Sequence, residues 1–216
     1  MRMPTLETAR LAIRPFVLGD LADVQRLLDV ELATADTADS GARGLDARRR
    51  WLEWTVMGYE ELAELRQPPY GDRAVILRAS GALIGACGYV PCLAPFGQVP
   101  TVRGEAAVVG AAPHTPEFGL YYAISPRHRR QGFATEAAAA LIEYAFAHLH
   151  LRRVIATTEH DNVGSIGVMG RLGMAIDRNQ YPTPPWLQVV GVRRNPAFAA
   201  RAPSTYAPDG GRVPQG

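Results

Sequence analysis

The chain has 216 residues, enough for one domain with a sizeable core and a tail. Its 23 Lys and Arg stand against 21 Asp and Glu, a formal net charge of +2, and this balance excludes general nucleic-acid binding. No long apolar run and no leader-like N-terminus occurs, so the expectation is a cytoplasmic protein with no membrane partner.

In chain order, Leu11 to Phe16 reads as a first strand. Gly19-Asp20 then opens a helix with Leu21, Val24, Leu27 and Leu28 inward and Asp20 as its cap. Thr34 to Asp46 is small and polar, hence a loop. Asp46 to Arg66 reads as a helix carrying Trp51, Leu52, Val56, Leu62 and Leu65. Within it, Arg48, Arg49 and Arg50 either touch an anionic ligand or form a solvated face, and the solvated face is the simpler reading. Arg73–Arg78 and Ala82–Tyr89 form a hairpin across Ala79-Ser80-Gly81. Cys87 and Cys92 are the only cysteines. They have no second pair to complete a zinc site, so no metal is expected, and both read as buried thiols.

The stretch from Pro91 to Pro116 is rich in breakers. Phe96, Val99, Val102, Val108 and Val109 nonetheless supply apolar surface for it to dock, and long loops of this kind are often functional. Glu117 to Ile124 reads as a buried strand. Thr135 to His150 reads as a helix with Ala134, Ala138, Leu141, Ala145 and Leu149 on one apolar face. Arg152–Glu159 alternates like a strand. Met174–Ile176 and Trp186–Val192 read as the last two strands, and the Pro-, Ala- and Gly-rich stretch from Asn195 reads as a disordered tail.

The chemistry concentrates between the strand ending at Ile124 and the helix beginning near Thr135. A tight turn there leaves the first helical N–H groups unpaired at the positive pole of the helix, which suits a phosphate. Gly132 and Ala134 let a bulky phosphorylated ligand approach the backbone. No lysine and second glycine stand where a nucleoside-triphosphate loop needs them, and the dinucleotide Gly-x-Gly-x-x-Gly is absent. The pattern present is Arg/Gln-x-x-Gly-x-Gly/Ala, here Arg129-Arg130-Gln131-Gly132-Phe133-Ala134. A second stretch follows, Asn162-Val-Gly-Ser165, ending in Leu172-Gly173-Met174.

Together these resemble the coenzyme-A signature and closing helix of the GNAT N-acetyltransferases. Ala134-Thr135-Glu136-Ala137 is similar to a run common in the RimJ/RimL-like branch, and Thr8-Ala-Arg10-Leu11 resembles the family's lead into its first strand. The resemblance implies an α/β (α+β) fold over residues 8–194. Its mixed, mostly antiparallel sheet would have about seven strands with about four helices, splayed at the strand before the turn. It implies acetyl-CoA as co-substrate, a primary-amine acceptor, and a monomer or homodimer. The cofactor side would comprise Tyr122, Ala123 and Ile124 by their backbone, the turn Arg129, Arg130, Gln131, Gly132, Phe133, Ala134 and Thr135, and Asn162 with Ser165.

An acyl thioester needs stabilisation of the developing oxyanion, which backbone N–H groups supply. The amine must be neutral. At pH 7.5 about a third of an α-amine is neutral, against about 0.1% of a lysine amine. Glu117 is the candidate base, by resemblance to the glutamate of the family's Glu-x-Gly-Tyr arrangement. It lies two residues further from Pro126 than in that arrangement, an offset a bulge would absorb; the bland alternative is an exposed strand-end carboxylate. Ser165 is a candidate partner for the departing thiol, since no tyrosine neighbours it in sequence. Asn162 and Ser165 would equally serve as a helix cap. His128 and His160 read as solvated, and Glu136 as a carboxylate suited to the helix dipole. The alternative at this stage is a catalytically silent acyl-CoA-binding module.

Overall fold

Apolar residues and glycines run without a break along the middle strands, at 82–89 and 118–124, so the sheet must be covered on both faces. The computed structural model describes residues 2–33, 44–103 and 113–198. Its first half runs β1 (Leu6–Glu7), β2 (Leu11–Pro15), α1 (Leu21–Gln25) with a π-helical turn (Arg26–Glu31), α2 (Leu45–Glu64), β3 (Gly71–Leu77) and β4 (Ala82–Ala94). After a 3-10 turn (Phe96–Gln98) and a short helix α3 (Pro100–Arg103) come β5 (Thr115–Ile124) and α4 (Phe133–Ala147). The chain then closes with β6 (Arg153–Thr158), α5 (Val163–Arg171), β7 (Ala175–Arg178) and β8 (Val189–Arg194).

The eight strands form one sheet in the order β1-β2-β3-β4-β5-β6-β8-β7, antiparallel throughout except at β5–β6. The strand beyond the expected seven is β1, a two-residue edge piece paired with Ala12 and Ile13. Alternation sorts the core by face. Val75, Ile84, Cys87, Tyr89, Phe118, Leu120 and Ile124 point towards α4, meeting Phe133, Ala137, Leu141 and Ala145. The intervening Ala74, Leu83 and Ala86 meet Phe16, Val24, Leu27 and Leu52 beneath α1 and α2. Cys87 is buried, with its thiol pushed up to about 12 by desolvation, whereas Cys92 is only half-buried; both are free.

The segment after β4 docks as its apolar residues require. Phe96, Val99 and Val102 are buried against Ile155, Leu187, Val190 and Val192, on the same side of the sheet as α1 and α2. Residues 104–112, with the apolar Ala106–Val109 run, lie outside the described residues, as do residues 34–43 of the loop expected over Thr34 to Asp46 and residues 199–216 of the expected tail. The fold itself continues past Arg194. Asn195 is buried, and its side chain donates to the Leu151 carbonyl at 2.9 Å.

One expectation about Arg48–Arg50 fails. Arg49 and Arg50 are exposed, but Arg48 is 6% exposed and forks onto Asp29 at 2.8 and 2.6 Å, with its guanidinium 5.0 Å from the Trp51 ring. The π-helical turn brings Asp29 under α2, and a run of like charges in sequence does not reveal such a partner.

Candidate active site

Gly132 takes φ +83°, the left-handed conformation open to glycine, and so turns the chain from the β5 exit into α4. The first intrahelical bond runs from Glu136 N–H to Gly132 O at 2.9 Å. Backbone N–H groups from Arg130 to Thr135 have no acceptor among the described residues, and the buried Thr135 hydroxyl is likewise unpaired. Arg129, Arg130 and Gln131 are exposed around this ring of donors. Pyrophosphate oxygens fit the ring by charge and by geometry.

Two remote pieces hold the turn. Arg10 donates to Gln131 O at 3.0 Å, stacks 4.4 Å above the Phe133 ring and pairs with Glu136 at 2.7 Å. Thr8 donates to the same carboxylate at 2.6 Å. Burial opposes ionisation of Glu136, but the Thr8 and Arg10 hydrogen bonds outweigh it and hold the carboxyl below its usual range. Glu136 therefore clamps β2's approach to α4, in addition to suiting the dipole. From the other side, Glu31 of the π-helical turn accepts from Arg26 at 2.6 Å, lies 3.7 Å from Arg127 and engages the Ser125 hydroxyl.

β5 and β6 pair at a single position, Gly119 with Ile155, and β5 then continues to Ile124 without a partner on that side. The expected splay is therefore present. It leaves the β6-facing edge of residues 120–124, the stretch of Tyr122, Ala123 and Ile124, open to an extended ligand arm apart from the Ile124 carbonyl, which accepts from Arg129 Nε at 3.4 Å. Across the gap, Asn162 caps α5 by accepting from Ser165 N–H at 3.0 Å. The Ser165 hydroxyl lies 2.9 Å from the Tyr122 hydroxyl, so a tyrosine does neighbour it in space. Linear spacing missed it because Tyr122 arrives from β5, 43 residues earlier. Burial pushes the Tyr122 phenol up, with the Ser165 hydrogen bond pulling the other way. A raised phenol stays protonated at neutral pH, so this hydroxyl pair can offer a hydrogen bond at the mouth.

The opposite, α1–α2 side of the split differs from expectation. Glu117 is buried rather than exposed, at 7%. Arg153 forks onto both carboxylate oxygens, through Nε at 2.8 Å and through Nη2, while Thr115 donates to Oε1 at 3.0 Å. Arg153 also donates to Val102 O at 2.7 Å, so this cluster fastens the 96–103 segment to the sheet. The expected bulge is absent: β4 and β5 pair one-for-one from Thr115 to Ile124. Position 119, where the Glu-x-Gly-Tyr spacing would put the glutamate, is glycine. A Cβ there would stand 2.7 Å from the Cys92 sulfur.

A carboxylate that sequence reasoning missed faces the same side. Asp72 of β3, Gly88 of β4 and Tyr121 of β5 form one cross-strand row. Asp72 shares its face with Ala74, which packs with Tyr121 beneath α1 and α2. Gly88 adds no side chain between them; a Cβ there would strike Gly71 O at 2.1 Å. Among the described residues no side chain donates a hydrogen bond to the Asp72 carboxyl. Burial pushes it up to about 6, against the pull of the Arg48 charge. Burial also raises the Tyr121 phenol, and the Asp72 charge adds to that. A lone acid in an apolar strand was the only signal in the sequence. His160 is exposed, its ring 3.3 Å from Arg178, and His128 lies 6.4 Å from the Phe133 ring.

Residues 10–175 match the acetyltransferase (GNAT) domain family. The uncharacterized N-acetyltransferase YnaD of Bacillus subtilis (strain 168) is 41% identical over 173 residues, covering 78% of this chain and 81% of that protein. RimL, the ribosomal L7/L12 α-N-protein acetyltransferase solved in complex with coenzyme A, aligns with a TM-score of 0.60 at 13% identity. That alignment covers 89% of this chain and 98% of RimL. Apo FdhC, a nucleotide-linked sugar GNAT, aligns at 0.62 with 10% identity over 90% of this chain and 91% of its own. Both likenesses are of fold.

Proposed function

The chain belongs to the GNAT acetyltransferase family, and from that premise we propose that it moves an acetyl group to a weakly basic primary amine, with Asp72 accepting the amine's proton. It is an acyltransferase, and acetyl-CoA is its co-substrate. Bound at the turn, acetyl-CoA supplies the activated acetyl thioester. The N–H groups of residues 130–135 would hold its pyrophosphate, with Arg129 and Arg130 at the rim, and the open edge of residues 122–124 would hold its pantetheine amides. Tyr122, hydrogen-bonded to Ser165, is the proton donor for the departing thiolate, whose need is small because a thiol pKa is near 8.5.

The observation that carries this reading is the single-pair β5–β6 split, with the N–H ring at one end and Asp72 in the Tyr121 row on its acceptor face. Two carboxylates compete for the role of base. Glu117 lies four residues before Tyr121, about 13 Å along the strand, with both oxygens held by Arg153. Asp72 is level with Tyr121, and burial pushes its carboxyl up to about 6. A base in that range takes a proton from an α-ammonium at a mismatch of about 2 pKa units, and from a lysine at more than 4. This favours a protein N-terminus or a small-molecule amine of comparable basicity, and with Ala134-Thr135-Glu136-Ala137 it supports a place near the RimJ/RimL-like branch, in the cytoplasm.

One observation favours a second reading. With glycine at position 119 and Glu117 in an ion pair, the usual base is missing, as in a silent acyl-CoA-binding module. Free-thiol release from acetyl-CoA over a panel of N-terminal peptides, lysine peptides, polyamines and aminoglycosides tests both. Turnover concentrated on low-pKa amines is the expected result. Tight coenzyme-A binding with no turnover on any amine would establish the silent module.

A further inference from the structure

On the edge of the sheet, away from the split, Arg73 follows Asp72 in β3 and points to the other face. It is 2% exposed, and its Nε and Nη1 have no hydrogen-bond partner. Among the described residues no carboxylate lies within ion-pair distance of it; the π-face of Tyr59, 5.4 Å from the guanidinium carbon, is its closest compensation. Burying an unpaired guanidinium is costly, and arginine does not escape the cost by losing its proton at neutral pH.

Arg73 lines a cavity of about 270 Å³ bounded by Met3, Phe16, Val56, Tyr59, Leu62 and Pro69. These walls are apolar. The one acid at the rim, Glu60, is mostly exposed and lies 3.8 Å from Arg2. A cation without a counter-charge at one wall of an apolar chamber matches a carboxylate carrying an apolar body. Inorganic phosphate or sulfate would satisfy the charge but leave its remaining oxygens against hydrocarbon. The volume lies just below the usual range for ligand pockets, which limits the occupant to a short aliphatic chain or a single ring.

We propose that this cavity, between α2, the β2–β3 edge and the N-terminal segment, binds a small apolar monocarboxylate through the Arg73 guanidinium. The site is separate from the acetyl-transfer split, and its occupancy stabilises the packing of α2 on the sheet edge. A bound carboxylate supplies the counter-charge that Arg73 lacks, so binding and stability are coupled through that one side chain.

The test uses the full chain, with benzoate and hexanoate as probes and benzamide, hexanamide and inorganic phosphate as controls. At ten times the Kd, each carboxylate is expected to raise Tm by about 3–6 °C, and the neutral amides and phosphate are expected to leave it unchanged. Arg73→Met should fold, since it exchanges an unpaired buried charge for an apolar side chain of similar reach, and should lose the carboxylate shift while keeping coenzyme-A affinity. Val56→Trp, which fills the chamber and leaves Arg73 in place, should lose the shift as well. No response to either carboxylate at 20 mM, or an equal response in a folded Arg73→Met or Val56→Trp variant, overturns the proposal. So does an equal response to benzamide.

Discussion

The two ends of the split are built in opposite ways. The cofactor end is nearly continuous in sequence: β5, the turn and the first helical turn span residues 115–136, and Gly132 with the N–H groups around it forms the cradle. The acceptor end is assembled from the π-helical turn, α2, β3 and the 96–103 segment, separate pieces of the sequence that the fold brings together. A backbone cradle depends on chain direction and one glycine, so it survives changes of neighbouring side chains. An acceptor face depends on which side chains converge, so it can be rebuilt while the cofactor end stays constant.

The sharpest way to break the comparison is at the acceptor end. Asp72→Asn is expected to lower kcat/KM for an α-amine by about 10²–10⁴-fold, with the loss shrinking as pH rises and free amine becomes abundant. In the wild type, activity should fall as pH drops below about 6, because Asp72 must be ionised to accept a proton. Glu117→Gln should act differently. It strands the Arg153 charge, so the expected effect is on stability, about 3–5 kcal/mol and a Tm lower by roughly 6–20 °C. A folded, fully stable Glu117→Gln enzyme that has lost its turnover would instead make Glu117 the base.

At the cofactor end a smaller effect follows from one glycine. Gly132→Ala puts a Cβ at φ +83°, 3.4 Å from Arg10 Nη2. That conformation costs an L-residue about 1–2 kcal/mol. Coenzyme-A affinity measured by calorimetry should weaken by about tenfold or more, the equivalent of one charge-assisted hydrogen bond, with acceptor KM nearly unchanged. Unchanged affinity in a folded variant would move the pyrophosphate elsewhere.

The smallest expected effect lies where the two ends meet. Tyr122→Phe removes the hydroxyl facing Ser165 and should lower kcat by about 2–12-fold, the range of one net hydrogen bond. Ser165→Ala should cost a similar factor. The double variant should lose less than the product of the two, because both remove the same contact. Strictly multiplicative losses would show that the two hydroxyls act separately.

The residues legible in sequence are those whose work is done by local backbone. Arg129 to Thr135 announce an anion cradle because a strand, a glycine and a helix start in succession leave N–H groups free whatever surrounds them. Asn162 and Ser165 announce a helix cap for the same reason. The apolar content of Phe96, Val99 and Val102 predicted that their segment would dock, and hydrophobic burial decided that it did. Tertiary structure alone decided the fate of the charged and polar side chains. Arg48 found Asp29 across two helices, Glu117 found Arg153 across the β5–β6 pair, and Tyr122 found Ser165 across the split. Asp72 and Arg73, adjacent in sequence, were sent to opposite faces of one strand. One became a half-buried acid beside the reaction path and the other an unpaired cation in an apolar chamber. Charge interactions act over a few ångströms in three dimensions and depend on desolvation, and neither quantity is written in the spacing of residues along a chain.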